Sequence, residues 1–245
     1  KEDGLFLSEN IIKNKIYGKA YFENNPHPAQ SNKNYFLEKI ETIRRLTKKS
    51  KPYILDVGCG WGEFEEGLEK ETIPYLGIDT NNEAIEICKK KGLNCQHITL
   101  EKLALNQKDG NFDAVTLFQV IEHIKDPLRL LSVARKLLRK DGMLLITTPN
   151  NDSPLRKIMG KRWSVYNEPS HFVFYNKKTL ERLLKKAEFN NIKVKNDSWR
   201  FLSSKYIFKR LRQVGFPTFP LSLFPFNVPI PTDPFGDLET TGFVI

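Results

Sequence analysis

Cysteine is scarce in this chain: 245 residues hold three, Cys59, Cys88 and Cys95. An odd number without metal-ligand spacing gives neither a disulfide framework nor a zinc motif, and it fits a reducing, cytoplasmic setting. Long apolar runs are missing as well. No uninterrupted stretch approaches the ~20 residues that a membrane-spanning helix needs, and no charged-then-apolar leader follows Lys1. Internal repeats are absent. What the chain does have is a 40% hydrophobic content and enough length for one large core, so one domain with appendages is expected.

Positive charge is present but concentrated. Between Asn176 and Arg212 stand twelve Lys or Arg against three acids (Glu181, Glu188, Asp197), so this stretch carries +9 of the net +10. Such a patch suits nucleic acid, anionic lipid or a phosphorylated substrate; solvated, lysine-rich helix faces would look the same.

The most informative segment opens at Tyr53. An apolar strand (Ile54, Leu55, Val57) runs into Gly58, Gly60 and Gly62, where missing Cβ atoms allow unusual backbone angles and the close approach of a ligand. A second apolar run, Tyr75-Leu76-Gly77-Ile78, stops on Asp79, 21 residues after Gly58. That separation suits one strand-turn-helix-strand unit whose closing carboxylate holds a ribose diol, or else caps the helix starting at Asn82. In a dinucleotide fingerprint the third glycine lies one residue further on, at a helix N-terminus facing a pyrophosphate. Here Asp56 precedes the loop; its charge repels a pyrophosphate and attracts a cationic ligand or an ammonium group.

From Pro52 onward, short apolar strands alternate with helix-length segments: Tyr53 to Val57, Tyr75 to Ile78, Asn94 to Ile98, Phe112 to Phe118 and Met143 to Thr147. The alternation predicts a mostly parallel sheet with helices on both faces. Asp126-Pro127 starts a helix whose stripe Leu130, Ala134, Leu137, Leu138 ends at Asp141-Gly142. Asn176 caps another, with Leu180, Leu183, Leu184 and Ala187 on one face. Ile192 to Val194 reads as a sixth strand and Glu239 to Ile245 as a last one. Before the alternation, Tyr35, Phe36, Ile40, Ile43 and Leu46 mark a helix from Lys33 to Lys49, expected on the sheet edge or over the cofactor cleft. Tyr17, Tyr21 and Phe22 either close over the cofactor or pack on the core. Trp199 to Arg212 reads as a basic helix, and Phe216 to Phe235, with six prolines and five phenylalanines, excludes a regular one.

Over Tyr53 to Phe189 the chain resembles the class I S-adenosylmethionine-dependent methyltransferases, whose first motif has the form acid-x-Gly-x-Gly-x-Gly. The Glu122-His123 pair after the fourth strand is similar to the branch containing the ubiquinone-biosynthesis O-methyltransferases. The resemblance implies an α/β fold: a Rossmann-like, seven-stranded, mostly parallel sheet with helices on both faces and an antiparallel last strand. It divides the chain into an N-terminal arm and helix (1–50), a cofactor-binding core (51–198), a basic and Phe/Pro-rich insertion (199–236) and the final strand (237–245). It implies S-adenosylmethionine as cofactor, with S-adenosylhomocysteine as product and no metal. Contacts would come from Asp56, Gly58, Cys59 and Gly60 on the methionine part, Asp79 on the ribose, Thr80, Thr99 and Leu100 on the adenine side, and Gln119. At the third loop the chain departs from the family: Ile98-Thr99-Leu100-Glu101 stands where relatives carry an Asp, and Glu101 fits a helix start.

His171 is placed best to take a proton from a substrate hydroxyl, and His123 is a second candidate base; each is equally readable as a residue that holds neighbouring loops together. The expected acceptor is a small or lipid-linked molecule, methylated on oxygen, with the 199–236 segment offering a peripheral membrane contact. A nucleic-acid methyltransferase is the alternative. Only the charge favours it, since Gln119-Val120-Ile121-Glu122 is unlike the Asn/Asp-Pro-Pro-aromatic loop of base-amino methylases, and no Pro-Cys nucleophile exists. A dehydrogenase or a non-catalytic cofactor-binding module is a third reading.

Overall fold

Apolar residues alternate along the central strands, and the alternation decides which face each one covers. The computed structural model describes residues 6–7, 32–163, 165–166, 168–197, 201–203, 229–231 and 236–245. Its main sheet is built from β1 (Ile54–Val57), β2 (Tyr75–Asp79), β3 (Cys95–His97), β4 (Phe112–Phe118), β5 (Leu138–Pro149), β6 (Asn190–Asn196) and β7 (Asp237–Phe243). Their spatial order is β3-β2-β1-β4-β5-β7-β6. β7 runs antiparallel to both neighbours, while the pairs among β1 to β5 are parallel. This is the seven-stranded, Rossmann-like arrangement that the sequence predicts.

On one face Leu55, Val115, Leu117, Leu144 and Ile146 meet α4 (Leu100–Asn106), α5 (Pro127–Leu137) and, beyond the short α6 (Pro154–Met159), α7 (Lys177–Lys186). On the other, Ile54, Ala114, Met143 and Leu145 meet Ile40 and Ile43 of α1 (Asn32–Thr47) and Phe64 and Leu68 of α2 (Glu63–Lys70). The first helix therefore lies on a sheet face and not at the sheet edge or over the cleft. Phe36, Phe64 and Phe118 join α1, α2 and β4 through ring centroids 4.9 to 5.6 Å apart. α3 (Asn82–Lys90) covers β2 and β3 with a smaller cluster, Ile85 and Cys88 against Cys59, Leu93 and Cys95.

Two further sequence expectations are corrected. The helix starting at Pro127 ends at Leu137; Leu138 already pairs with Phe112, and Asp141, at φ 61, turns the chain inside an irregular β5. Residues 201–203, read as part of a helix, form an antiparallel pair with 229–231. The other expectations for 198–235, and those for Tyr17, Tyr21 and Phe22, lie outside the described residues. Among the described residues no helix is long and apolar enough to cross a membrane.

The α7 start is a capping box, in which the Asn176 side chain accepts from the Thr179 N–H and Thr179 Oγ1 accepts from the Asn176 N–H, both at 2.9 Å. Asn176→Ala is expected to cost about 1 kcal/mol in urea unfolding.

Candidate active site

β1 and β4 are adjacent, yet the chain leads from β1 outward to β2 and β3 and from β4 the other way to β5. Loops leaving their carboxyl ends diverge, and the crevice between them is where open α/β sheets take ligands. The first loop is held in shape by its glycines: Gly58, Gly60 and Gly62 have φ of 80°, 52° and 79°. The Gly58 and Cys59 N–H groups both donate to the Ile78 carbonyl, at 2.8 and 3.0 Å, drawing the loop toward β2. A Cβ on Gly58 would lie 2.5 Å from Val120 Cγ2, so the loops after β1 and β4 touch there. A Cβ on Gly60 would meet nothing within 4 Å, which leaves that side of the loop open to a ligand. Gly58→Ala is accordingly expected to destabilise the fold by about 1–3 kcal/mol from its backbone angle alone, and further through Val120. Gly60→Ala, strained but unobstructed, should cost less when the two variants are compared by thermal melts.

Asp79 closes this loop. Its Oδ2 accepts from the Gly60 N–H at 2.9 Å and its Oδ1 from the Asn81 N–H at 2.7 Å. It is not the helix cap: the Asn81 side chain accepts from the Glu83 and Ala84 N–H groups. Each Asp79 oxygen has a second lone pair, enough for a pair of vicinal hydroxyls.

Asp56 is 3% exposed and accepts from the Thr116 hydroxyl. Burial pushes its carboxyl up to about 6, with the Asp79 charge adding to the rise. Beside it the fully buried Glu65 carboxyl is raised well above the usual range, first by burial and then by Asp56. Glu65 and Thr116 were not foreseen from sequence; an acid at i−3 to Leu68 on the buried face of α2 was the available signal.

The residues that the resemblance assigns to an adenine have structural partners of their own. Thr99 Oγ1 accepts from the Lys102 N–H and so caps α4, Leu100 lies in the core at 2% exposure, and Glu101 occupies the first helical turn. Thr80 is exposed, its carbonyl 2.9 Å from His97 Nε2. Cys59 turns its side chain away, into the cluster with Cys88 and Cys95, so only its backbone faces the loop.

At the end of β4, Gln119 adopts φ 58, a strained angle for a non-glycine residue, with its N–H donating to the Thr147 carbonyl at 2.9 Å. The chain then makes a short 3-10 turn, Ile121–His123. Glu122, 1% exposed, accepts from the Thr148 hydroxyl at 2.9 Å, and its backbone carbonyl accepts from the Phe172 N–H at 2.8 Å. This brings His123 and His171 together, with ring centroids 4.7 Å apart and planes at 61°. A carbonyl can only accept, so His123 Nδ1 donates to Ser170 O at 3.0 Å and His171 Nδ1 to Val165 O at 2.9 Å. In these neutral tautomers Nε2 is the basic nitrogen. Beyond β5, Tyr166 donates to Asn151, accepts from Arg156 Nε at 2.9 Å and packs edge-on against Trp163 and Phe174.

Burial and the neighbouring His171 bring His123 down to about 4 from its ordinary 6.5. Below pH 6.5 the unfolded chain gains a proton here that the folded chain refuses until about 4. Stability from this residue is thus complete above 6.5 and lost as pH falls toward 4. His123→Asn should flatten that acid limb in urea unfolding compared at neutral and mildly acidic pH.

Among the described residues, two groups place metal-ligating atoms within 4.8 Å of one another: Glu122, His123 and His171, and Cys59, Cys88 and Cys95.

A family described as "Methyltransferase domain" matches residues 22–194. The chain is 36% identical over 106 residues to the ubiquinone biosynthesis O-methyltransferase of Haemophilus ducreyi, covering 40% of this chain and 45% of that one. The chain thus spans about half the length of the curated relatives it matches. Among solved structures it is similar to a SAM-dependent methyltransferase from Archaeoglobus fulgidus (20% identity, TM-score 0.59, 86% of this chain and 97% of that one). It is also similar to the Burkholderia thailandensis 1,6-didemethyltoxoflavin-N1-methyltransferase, solved with 1,6-didemethyltoxoflavin and S-adenosylhomocysteine (12% identity, TM-score 0.59, 92% and 84%). At these identities the structural likeness speaks for the fold.

Proposed function

The chain belongs to the methyltransferase-domain family, and on that premise we propose that it methylates a hydroxyl of a small-molecule or lipid-linked acceptor with S-adenosylmethionine as donor. The residues present suit that cofactor. The loop is open at Gly60, and the acids around it, Asp56 and Asp79 with Glu63 in the first turn of α2, favour a cationic ligand over a pyrophosphate. In this reading the backbone from Gly58 to Gly60 and Gln119 flank the methionine part, Asp79 takes the ribose hydroxyls, and Thr80 with the Thr99-Leu100 backbone borders the adenine. When bound, S-adenosylmethionine supplies a methyl group on a positively charged sulfur, which is already activated to leave.

What the chain must add is alignment and, for an oxygen acceptor, a base. The observation that carries the oxygen reading is the histidine pair, each Nδ1 tied to a backbone carbonyl so that the tautomer makes Nε2 basic. His171 Nε2 takes the hydroxyl proton, and the Glu122 carboxylate, in the same 4.8 Å cluster, compensates the imidazolium that results. His123, held neutral near pH 7, positions that ring. The names of the curated relatives point the same way.

Labelled S-adenosylmethionine incubated with host extract, followed by mass analysis of the product, tests the reading. A methyl ether is expected, and His171→Asn should lower kcat by about 10² or more while leaving the KM for the donor unchanged. Methylation on nitrogen, or an unaffected kcat, would remove the base from the account. Liposome flotation with and without residues 199–236 tests the membrane contact; binding that is the same for both forms removes it. The +9 stretch also favours nucleic acid as an acceptor, and salt-sensitive RNA or DNA binding at moderate ionic strength would move the reading there.

A further inference from the structure

Behind the glycine loop the three cysteines converge from separate elements: Cys59 from the loop after β1, Cys88 from α3 and Cys95 from β3. All three sulfurs lie within 4.8 Å of one another. They are 7%, 0% and 7% exposed, with Ile85 and Leu93 completing a small apolar shell. Two glycines make room for them. A Cβ on Gly62 would lie 3.1 Å from Cys88 Sγ, and one on Gly77 would lie 2.8 Å from Cys95 Sγ.

The point where a Gly77 Cβ would stand is also 2.9 Å from Glu65 Oε1 and 3.1 Å from Cys59 Cβ. Glu65 therefore brings a carboxylate to the edge of the sulfur cluster. Both of its oxygens are buried, and beyond its own backbone and the Asp56 carboxyl beside it no partner among the described residues meets them. Its neighbour Asp56 is an acceptor as well, so the two can share a hydrogen bond only when one holds a proton. A buried carboxylate costs several kcal/mol unless it holds a proton, as one shared with Asp56, or meets something positive.

We infer that Cys59, Cys88 and Cys95, with Glu65 as the fourth ligand, form a closed site for one thiophilic d10 cation such as Zn2+. Tetrahedral zinc holds thiolates at about 2.3 Å, which sets sulfurs roughly 3.8 Å apart, so the three thiols need a small inward shift, and Glu65, which lies outside their 4.8 Å group, swings toward them to complete the site. A disulfide needs a sulfur pair at about 2.0 Å and uses only two of the three sulfurs. Binding exchanges the thiol protons for the ion, and it ties the glycine loop to α3 and β3. Three thiolates on separate elements also explain why no motif is visible in sequence: the spacings are 29 and 7 residues, unlike the close pairs of zinc motifs.

The test uses the full chain, purified with a non-thiol reductant, and Zn2+ and Co2+ as probes. One Zn2+ per chain by elemental analysis after gel filtration is expected, with a raised Tm. Co2+ should give thiolate-to-cobalt charge-transfer absorption and a tetrahedral d–d spectrum, both lost in Cys88→Ser and Cys95→Ser. Glu65→Gln, which keeps the three thiols, should weaken Zn2+ binding at least about tenfold. Because the Co2+ spectrum is read on the unaltered chain, a variant that fails to fold does not spoil the test. A folded wild type with no charge-transfer band overturns the inference. So does metal uptake abolished by His171→Ala but not by Cys88→Ser, or a Cys59–Cys88 disulfide found under reducing conditions. None of these outcomes depends on methyl transfer.

Discussion

Lys39→Met is expected to lower the unfolding free energy by about 3–5 kcal/mol, the usual cost of leaving buried charges without their partner. Lys39 is fully buried on the inner stripe of α1, one turn from both Tyr35 and Ile43. Its ammonium reaches Asp197 after β6 and Glu239 on β7, whose side chains are each 1% exposed. Tyr35 donates to Asp197 at 2.6 Å, and Lys195 meets the other Glu239 oxygen at 2.9 Å. The cluster fastens α1 to the antiparallel edge of the sheet. Without Lys39, two buried carboxylates lose the ammonium they share, and Lys195 on Glu239 is largely in solvent. At about 2–4 °C per kcal/mol for a domain of this size, the Tm should fall by roughly 10 °C. The triple variant Lys39→Met, Asp197→Asn, Glu239→Gln should recover most of the loss, because the penalty lies in uncompensated charge and not in lost volume. A single variant as stable as wild type would remove this cluster from the account of the fold.

Asp79→Asn is expected to weaken S-adenosylmethionine binding by about 10², measured by equilibrium dialysis with labelled cofactor, while the Tm falls by only several °C for the one backbone N–H left facing the amide NH2. The amide keeps one acceptor for the Gly60 or Asn81 N–H but loses the charge and an acceptor for the ribose diol. One charge-assisted hydrogen bond exchanged for a poor contact accounts for about 1.5–3 kcal/mol, and tenfold in affinity is 1.4 kcal/mol. Unchanged affinity in a folded variant would place the ribose elsewhere.

Much of the architecture is legible in local pattern. β4 spans Phe112–Phe118 as read, because its apolar run is bounded by Gly110-Asn111 and by the polar Gln119. Asn176 and Asp126 cap the helices they were assigned, since capping needs only a side-chain oxygen and an N–H three residues on. The end of α5 is not legible locally. Leu138 continues the helical stripe, and only its pairing with Phe112, a contact between distant segments, makes it the first residue of β5. The loops follow the same division. Gly58, Gly60 and Asp79 announce themselves by residue type and spacing, whereas the meeting of Glu65 with Asp56, of Lys39 with Asp197 and Glu239, and of the three cysteines is a product of strand order. Lys39 left one trace, a charge on an otherwise apolar stripe.

The central claim is that the crevice between Gly58 and Gln119 takes S-adenosylmethionine and not a dinucleotide. Isothermal titration calorimetry of the full chain with S-adenosylmethionine, S-adenosylhomocysteine and NAD tests it most directly. Saturable binding of both sulfur compounds at one site per chain is predicted, with no heat from NAD. Binding of NAD without either sulfur compound would contradict the account.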